Sequence, residues 1–168
     1  MKAALISIRP KWCEMIASGK KTVEVRKSRP KLEPPFKCYI YETRGFERVG
    51  NENLNCVVGG NGRGAVIGEF VCDKTYCIEF DYYDNCYNES YTPDGYSDCM
   101  SDEEFSSYLQ ERNGYGLHIS NLVIYDEPKQ LSDFRLYNTS AVIEDGLPMP
   151  THKIRRPPLS WMYVEELP

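Results

Sequence analysis

The sequence predicts an α+β protein, and three observations carry that prediction. Short runs rich in β-branched and aromatic residues recur at positions 3–8, 22–26, 36–43, 65–72 and 115–125. Helical patterns are few and short, one over residues 10–18 and another opening at Ser101. A chain of 168 residues with 41% hydrophobic and 12% aromatic content can fold around a core without covalent staples, and its length predicts one domain over 1–168.

Ala3-Ala4-Leu5-Ile6-Ser7-Ile8 is apolar enough to be a strand buried on both faces. It begins like a secretory signal but breaks at once into Arg9-Pro10-Lys11, so a strand is expected and, with it, a cytoplasmic protein. Pro10 suits a first helical position, because its missing N–H would be unpaired there anyway. Trp12, Cys13, Ile16 and Ala17 share one helical face, and Gly19 is a stop that tolerates positive φ.

Thr22-Val23-Glu24-Val25-Arg26 alternates polar and β-branched residues. As a half-buried strand it turns Val23 and Val25 to the core and places Thr22, Glu24 and Arg26 together on the other face. Residues 28–35 hold three prolines and read as a stiff loop. Residues 36–43 have the composition of a central strand, and residues 44–63, with Gly59-Gly60-Asn61-Gly62, that of a flexible hairpin or insertion. Gly68 inside the 65–72 strand predicts a bulge or bend.

Ser101-Asp102-Glu103-Glu104 is a capping-box pattern leading into a helix that Asn113-Gly114 would close. Residues 115–125 read as a strand region, 126–134 as a turn with a short helical piece, and 135–154 as irregular apart from Ala141-Val142-Ile143. Pro157-Pro158 then leads into a last strand around Trp161.

The net charge of −5 hides a split. Residues 1–37 hold ten Lys and Arg against three Glu, a balance of +7, and the remainder holds ten against 22 acids, a balance of −12. Bulk charge therefore excludes long duplex nucleic acid as a natural partner, while a local basic face can select a short or single-stranded ligand. Residues 79–104 carry nine acids and no Lys or Arg, with tyrosines interspersed. That insertion reads either as a solvated loop with tyrosines packed on the body, or as an acidic surface for a protein partner, or as a plug for the basic groove.

The seven cysteines contain no C-x-x-C pair, and the two histidines lie far apart, so free thiols are expected, with no metal and no cofactor. No apolar run approaches the length of a membrane span.

Gly19-x-Lys21-x-x-Glu24-x-Arg26 resembles the G-x-K-x-x-E-x-R signature of the ASCH domain family, and the flanking Ile6-Ser7-Ile8-Arg9-Pro10 resembles that family's first strand and helix entry. The resemblance implies a PUA-like mixed β-barrel with a few short flanking helices. It also implies an association with RNA and modified nucleobases. On this reading Lys21 and Arg26 contact phosphate or carbonyl oxygen and Glu24 accepts from an exocyclic amine, with Lys20 and Thr22 beside them. Trp12 and Trp161 are either core residues or stacking faces, and His118 is either a rim histidine or part of the site.

Some proteins similar to this family are amidohydrolases on N4-acetylated cytidine that use a lysine, a threonine and a glutamate. Lys21 matches that lysine, Glu24 stands where the threonine would be, and the third position falls near Asp98. If the protein is an enzyme, Glu24 would act as general base and Lys21 would stabilise an oxyanion. A metal-dependent nuclease would need clustered carboxylates, for which the sequence offers Glu24 and Glu69. The expected partners are thus RNA, a nucleotide or a modified nucleoside, with a protein partner at the acidic insertion as the other class.

Overall fold

The structure is a computed structural model and describes residues 1–49, 56–84, 86, 87, 96–137 and 152–168. Strand β1 (Lys2–Ile8) is buried on both faces, as its unbroken apolar run requires. Ala4, Ile6 and Ile8 join one cluster with Cys13, Ile16, Phe70 and Leu117, whereas Ala3 and Leu5 join a second with Tyr39, Phe134 and Val164. Helix α1 (Pro10–Ala17) buries Cys13 and Ile16 and ends where Gly19 turns to φ +72°. Strand β2 (Val23–Arg26) follows directly.

The remaining strands are β3 (Phe36–Glu42), β4 (Phe46–Val49), β5 (Cys56–Gly59), β6 (Ala65–Cys72), β7 (Thr75–Ile78), β8 (Phe80–Asp81), β9 (Cys86–Tyr87), β10 (Gly114–His118), β11 (Ser120–Lys129) and β12 (Trp161–Glu165), with helix α2 (Asp102–Leu109) before β10. A five-stranded sheet has the order β11-β6-β3-β1-β12, with β3 central as expected, and a three-stranded sheet the order β2-β10-β7. The α+β class holds. Among the described residues the hydrogen-bonded ladders form separate sheets and do not close into one barrel.

Two strand pairs bind these sheets into one body. The β6–β11 pair belongs to the larger sheet and the β7–β10 pair to the smaller. The chain passes between them at Asp73-Lys74 on one side and Ile119 on the other, where His118 donates its backbone N–H to Lys74 O at 3.0 Å and Ile119 donates to Thr22 O at 2.8 Å. The expected irregularity at Gly68 is present: the β3–β6 register skips Ile67, pairing Ile40 with Gly68 and Tyr41 with Val66. A Cβ on Gly68 would stand 2.4 Å from Val123 O, so the glycine also admits the backbone of β11.

Two expectations change. The 126–134 stretch is not a turn at its start: β11 runs on to Lys129 before a 3-10 turn at Leu131–Asp133. Pro128 is tolerated because β11 is an edge strand. Helix α2 has the predicted capping box between Ser101 and Glu104, but Gln110 at φ 57° closes it, and Gly114 already belongs to β10. The hairpin expected over 44–63 is β4–β5, whose tip, like the 141–143 run, lies outside the described residues.

Candidate functional site

The alternation of β2 produces two faces, and the structure buries both. Val25 packs with Ile78, Phe105 and Leu109 under α2. Glu24 and Arg26 turn the other way, into the space between the two sheets, because Glu24 is paired with Leu117 and Leu117 lies in the β1–α1 core. The half-buried strand of the sequence analysis is therefore a fully buried one, and its polar face is internal. Lys21, Glu24 and Arg26 are 2%, 5% and 6% exposed.

They form a row. Glu24 Oε1 lies 2.8 Å from Arg26 Nη2, and Glu24 Oε2 lies 3.5 Å from Lys21 Nζ. Arg26 Nη2 also donates to the backbone oxygen of Ser7 at 2.6 Å, and Lys21 Nζ donates to Asp98 O at 2.5 Å. Two atoms of the row are buried with no hydrogen-bond partner, the acceptor Glu24 Oε2 and the donor Arg26 Nε. Arg26 Nε, which has no acceptor, costs about 1–3 kcal/mol.

Trp12 on α1 is half-buried and stands over the Lys21 end, with Nζ 5.1 Å from its ring centroid. Thr22 Oγ1 accepts from Ser97 N at 2.8 Å, while the N–H groups of Thr22 and Val23 donate to Ser97 O at 2.7 and 3.0 Å. The end of the acidic insertion thus packs directly on the basic motif. Lys20 is exposed.

The other two candidates sit elsewhere. His118 pairs with Val23 in the β10–β2 ladder, which places it on the opposite face of the sheet from Glu24. There its Nδ1 meets Asp73 Oδ1 at 2.5 Å and its ring lies 4.2 Å from that of Tyr96. Burial works against ionisation of Asp73, but the His118 hydrogen bond, a backbone hydrogen bond, the His118 charge and Ser120 together outweigh it and hold the carboxyl below its ordinary value. Trp161 is half-buried against the core, and its Nε1 donates to Ser28 O at 3.1 Å, beyond the Arg26 end of the row.

Cys13 faces the row from α1, but burial, then the Glu42 and Glu24 carboxylates, push its thiol up and keep it unreactive. Among the described residues no group of three or more His, Cys, Asp and Glu is arranged to hold a metal ion, and Glu69 pairs with Lys37 and Tyr125 on the larger sheet. Among the described residues no helix is long and apolar enough to cross a membrane.

The signal sequence reasoning missed is the Ser97-Asp98 backbone. Its contribution is through main-chain atoms, which residue type does not reveal.

The fold is similar to that of solved ASCH proteins. A crystal structure of ASCH from Zymomonas mobilis superposes with a TM-score of 0.59 at 17% identity, covering 98% of this chain and 88% of that one. A tyrosine-to-phenylalanine variant of the same Zymomonas mobilis protein gives 0.60 at 17% identity, over 99% of this chain and 92% of that one. At that identity the likeness shows the fold alone. No curated protein matches the sequence. The model of the ASCH domain family matches residues 6–92, which include the end of β1, α1 and the whole Lys21–Glu24–Arg26 row. The chain belongs to the ASCH domain family.

Proposed function

We propose that this protein recognises RNA or a (modified) nucleotide through the Lys21–Glu24–Arg26 row, with the whole chain, 1–168, acting as one ASCH domain that carries an acidic insertion at about 79–104. The observation that carries the reading is the pair of unfilled buried atoms. Glu24 Oε2 makes no hydrogen bond and meets only the Lys21 ammonium at 3.5 Å, and Arg26 Nε is a donor without an acceptor, both inside an ion-paired row of the family signature. A base edge offers the complement, an exocyclic amine beside a carbonyl or ring nitrogen. Stability is a poor reason for such a row, because buried ion pairs are often no better than apolar side chains of the same volume.

Entry of a base requires the Ser97-Asp98 segment to yield, since its carbonyls take the hydrogen bonds of Lys21, Thr22 and Val23. Trp12, over the Lys21 ammonium, supplies an aromatic face at that end. The hydrolase reading needs Glu24 to meet a water, and Glu24 is 5% exposed between two cations, so recognition is the better supported function.

The test is equilibrium titration of labelled short RNAs and nucleosides into wild type, Lys21→Met and Glu24→Gln, with mass analysis of the ligand afterwards. Recognition predicts at least about tenfold weaker binding in either variant, equal to about 1.4 kcal/mol, with the ligand recovered unchanged. A deacylated or cleaved ligand from wild type alone would establish an enzyme instead.

A further inference from the structure

The row just described is internal, so its cations are not the ones that meet a phosphodiester chain at the surface. Exposed cations follow it directly in the loop that leaves β2. Residues 27–31 read Lys27-Ser28-Arg29-Pro30-Lys31, and every residue but the buried Pro30 is tied to an aromatic ring. Lys27 Nζ lies 5.4 Å from the centroid of Tyr108 on α2. Ser28 accepts from Trp161 Nε1 on β12, through O at 3.1 Å and Oγ at 3.2 Å. Arg29 Cζ lies 5.7 Å from the ring of Tyr115 on β10. The backbone N–H of Lys31 donates to Tyr163 Oη on β12 at 2.8 Å. A fourth cation joins from β1, with Lys2 Nζ 3.6 Å from the centroid of Tyr163.

Among the described residues, Lys11, Lys21, Arg26, Lys37 and Arg63 each meet a carboxylate within 4.0 Å. Lys2, Lys27, Arg29 and Lys31 do not: aromatic rings neighbour the side chains of Lys2, Lys27 and Arg29, the side-chain amide of Gln110 accepts from Lys27, and Lys31 is held through its backbone N–H. Lys27 and Lys31 are exposed, while Tyr108, Tyr115, Trp161 and Tyr163 are half-buried, so each ring is fixed by packing and still offers part of its surface. On a chain of net charge −5, four uncompensated cations around one short loop are a local field of opposite sign.

We propose that the 27–31 loop and its four rings form a docking surface for a single-stranded nucleic acid, continuous with the Lys21–Glu24–Arg26 site. The choice of ligand rests on the nucleotide reading of that site. Cations that alternate with aromatic rings suit a strand whose phosphates alternate with unpaired bases. A duplex hides its base faces, and an acidic peptide has no use for the rings. The loop's four residue steps reach at most about 14 Å, enough for a few nucleotides and too short for a duplex footprint. Arg26, immediately before the loop, points inward to the row, so a strand lying along the loop can present one nucleotide to the internal site.

The experiment is fluorescence anisotropy with a labelled mixed-sequence RNA 8-mer, a DNA 8-mer, the corresponding RNA duplex, poly-glutamate and a mononucleotide, each over a range of salt. The proteins are wild type, Lys27→Gln/Lys31→Gln, the same double variant with Arg29→Gln added, and Lys21→Met. The double variant alters only exposed side chains, and melting curves confirm the fold of each. At about 0.7 per phosphate contact, the slope of log affinity against log salt falls by about 1.4 in the double variant and about 2 in the triple, with at least about tenfold loss of affinity near 0.1 M salt. That result with either 8-mer supports the surface, and the better of the two identifies the sugar.

Wild-type affinity and slope in the double variant overturn it. So does stronger binding of the duplex or of poly-glutamate than of the 8-mers, or no binding of any of them. A mononucleotide that binds as tightly as the 8-mer, without salt dependence and sensitive only to Lys21→Met, removes the surface and leaves the internal site standing. An 8-mer that depends on the loop and not on Lys21 supports the surface and removes the internal site.

Discussion

Glu24 and Arg26, two residues apart on β2, meet at 2.8 Å with both side chains less than a tenth exposed. Lys21 closes the row from the other side. A carboxylate held between two buried cations is costly to lose, because its removal leaves both positive charges out of water and unpaired. Glu24→Ala should therefore destabilise by about 3–5 kcal/mol in urea unfolding. A loss below about 1 kcal/mol would mean that water reaches the row.

Burial works against the Glu69 charge, but hydrogen bonds from Tyr125 and Lys37 outweigh it and hold the carboxyl below its ordinary 4.5. A depressed folded value means that the stabilisation is complete above pH 4.5 and fades as pH falls through the folded value. Wild type should exceed Glu69→Gln in melting temperature by a constant margin near neutral pH, and the margin should close toward pH 3. Melting curves of the two proteins from pH 7 to pH 3 measure it.

Thiol chemistry should divide the cysteines by burial. Cys13, Cys38 and Cys72 are buried, and burial pushes each thiol up, Cys72 to about 12. Cys77 and Cys86 are exposed. Mass spectrometry after brief alkylation of the native protein should find Cys77 and Cys86 modified, and the three buried thiols only after unfolding.

Gly68→Ala should cost about 1–3 kcal/mol, since the added methyl would stand 2.4 Å from Val123 O across the β6–β11 pair. Ser101→Ala should cost about 1 kcal/mol by removing the Glu104 N–H acceptor that starts α2. Chemical denaturation of both variants checks the order.

Local structure around the motif was legible because neighbouring residues decide it. Pro10 at the helix entry, Gly19 at φ +72° and the Ser101–Glu104 box each act within a few positions. What the sequence could not show was where the second face of β2 goes. Period-two alternation separates Val25 from Glu24 and Arg26, but solvent and a second sheet leave the same pattern. The side of His118 is set by its register opposite Val23, which depends on how two distant strands pair. Pro128 read as a turn because edge position is a property of the sheet. The rings around residues 27–31 come from α2, β10 and β12, and only the fold assembles them.

The central claim is that the internal row receives a nucleotide or base. A thermal-shift series on wild type and Lys21→Met, across nucleosides, nucleotides, short RNAs and N4-acetylcytidine, tests it most directly. A ligand at about a hundred times its dissociation constant adds about 2.7 kcal/mol, which for a chain of this size is roughly 5–10 °C. Such a shift is expected in wild type, with its loss in Lys21→Met. An equal shift in both proteins, or none from any ligand in wild type, would contradict it.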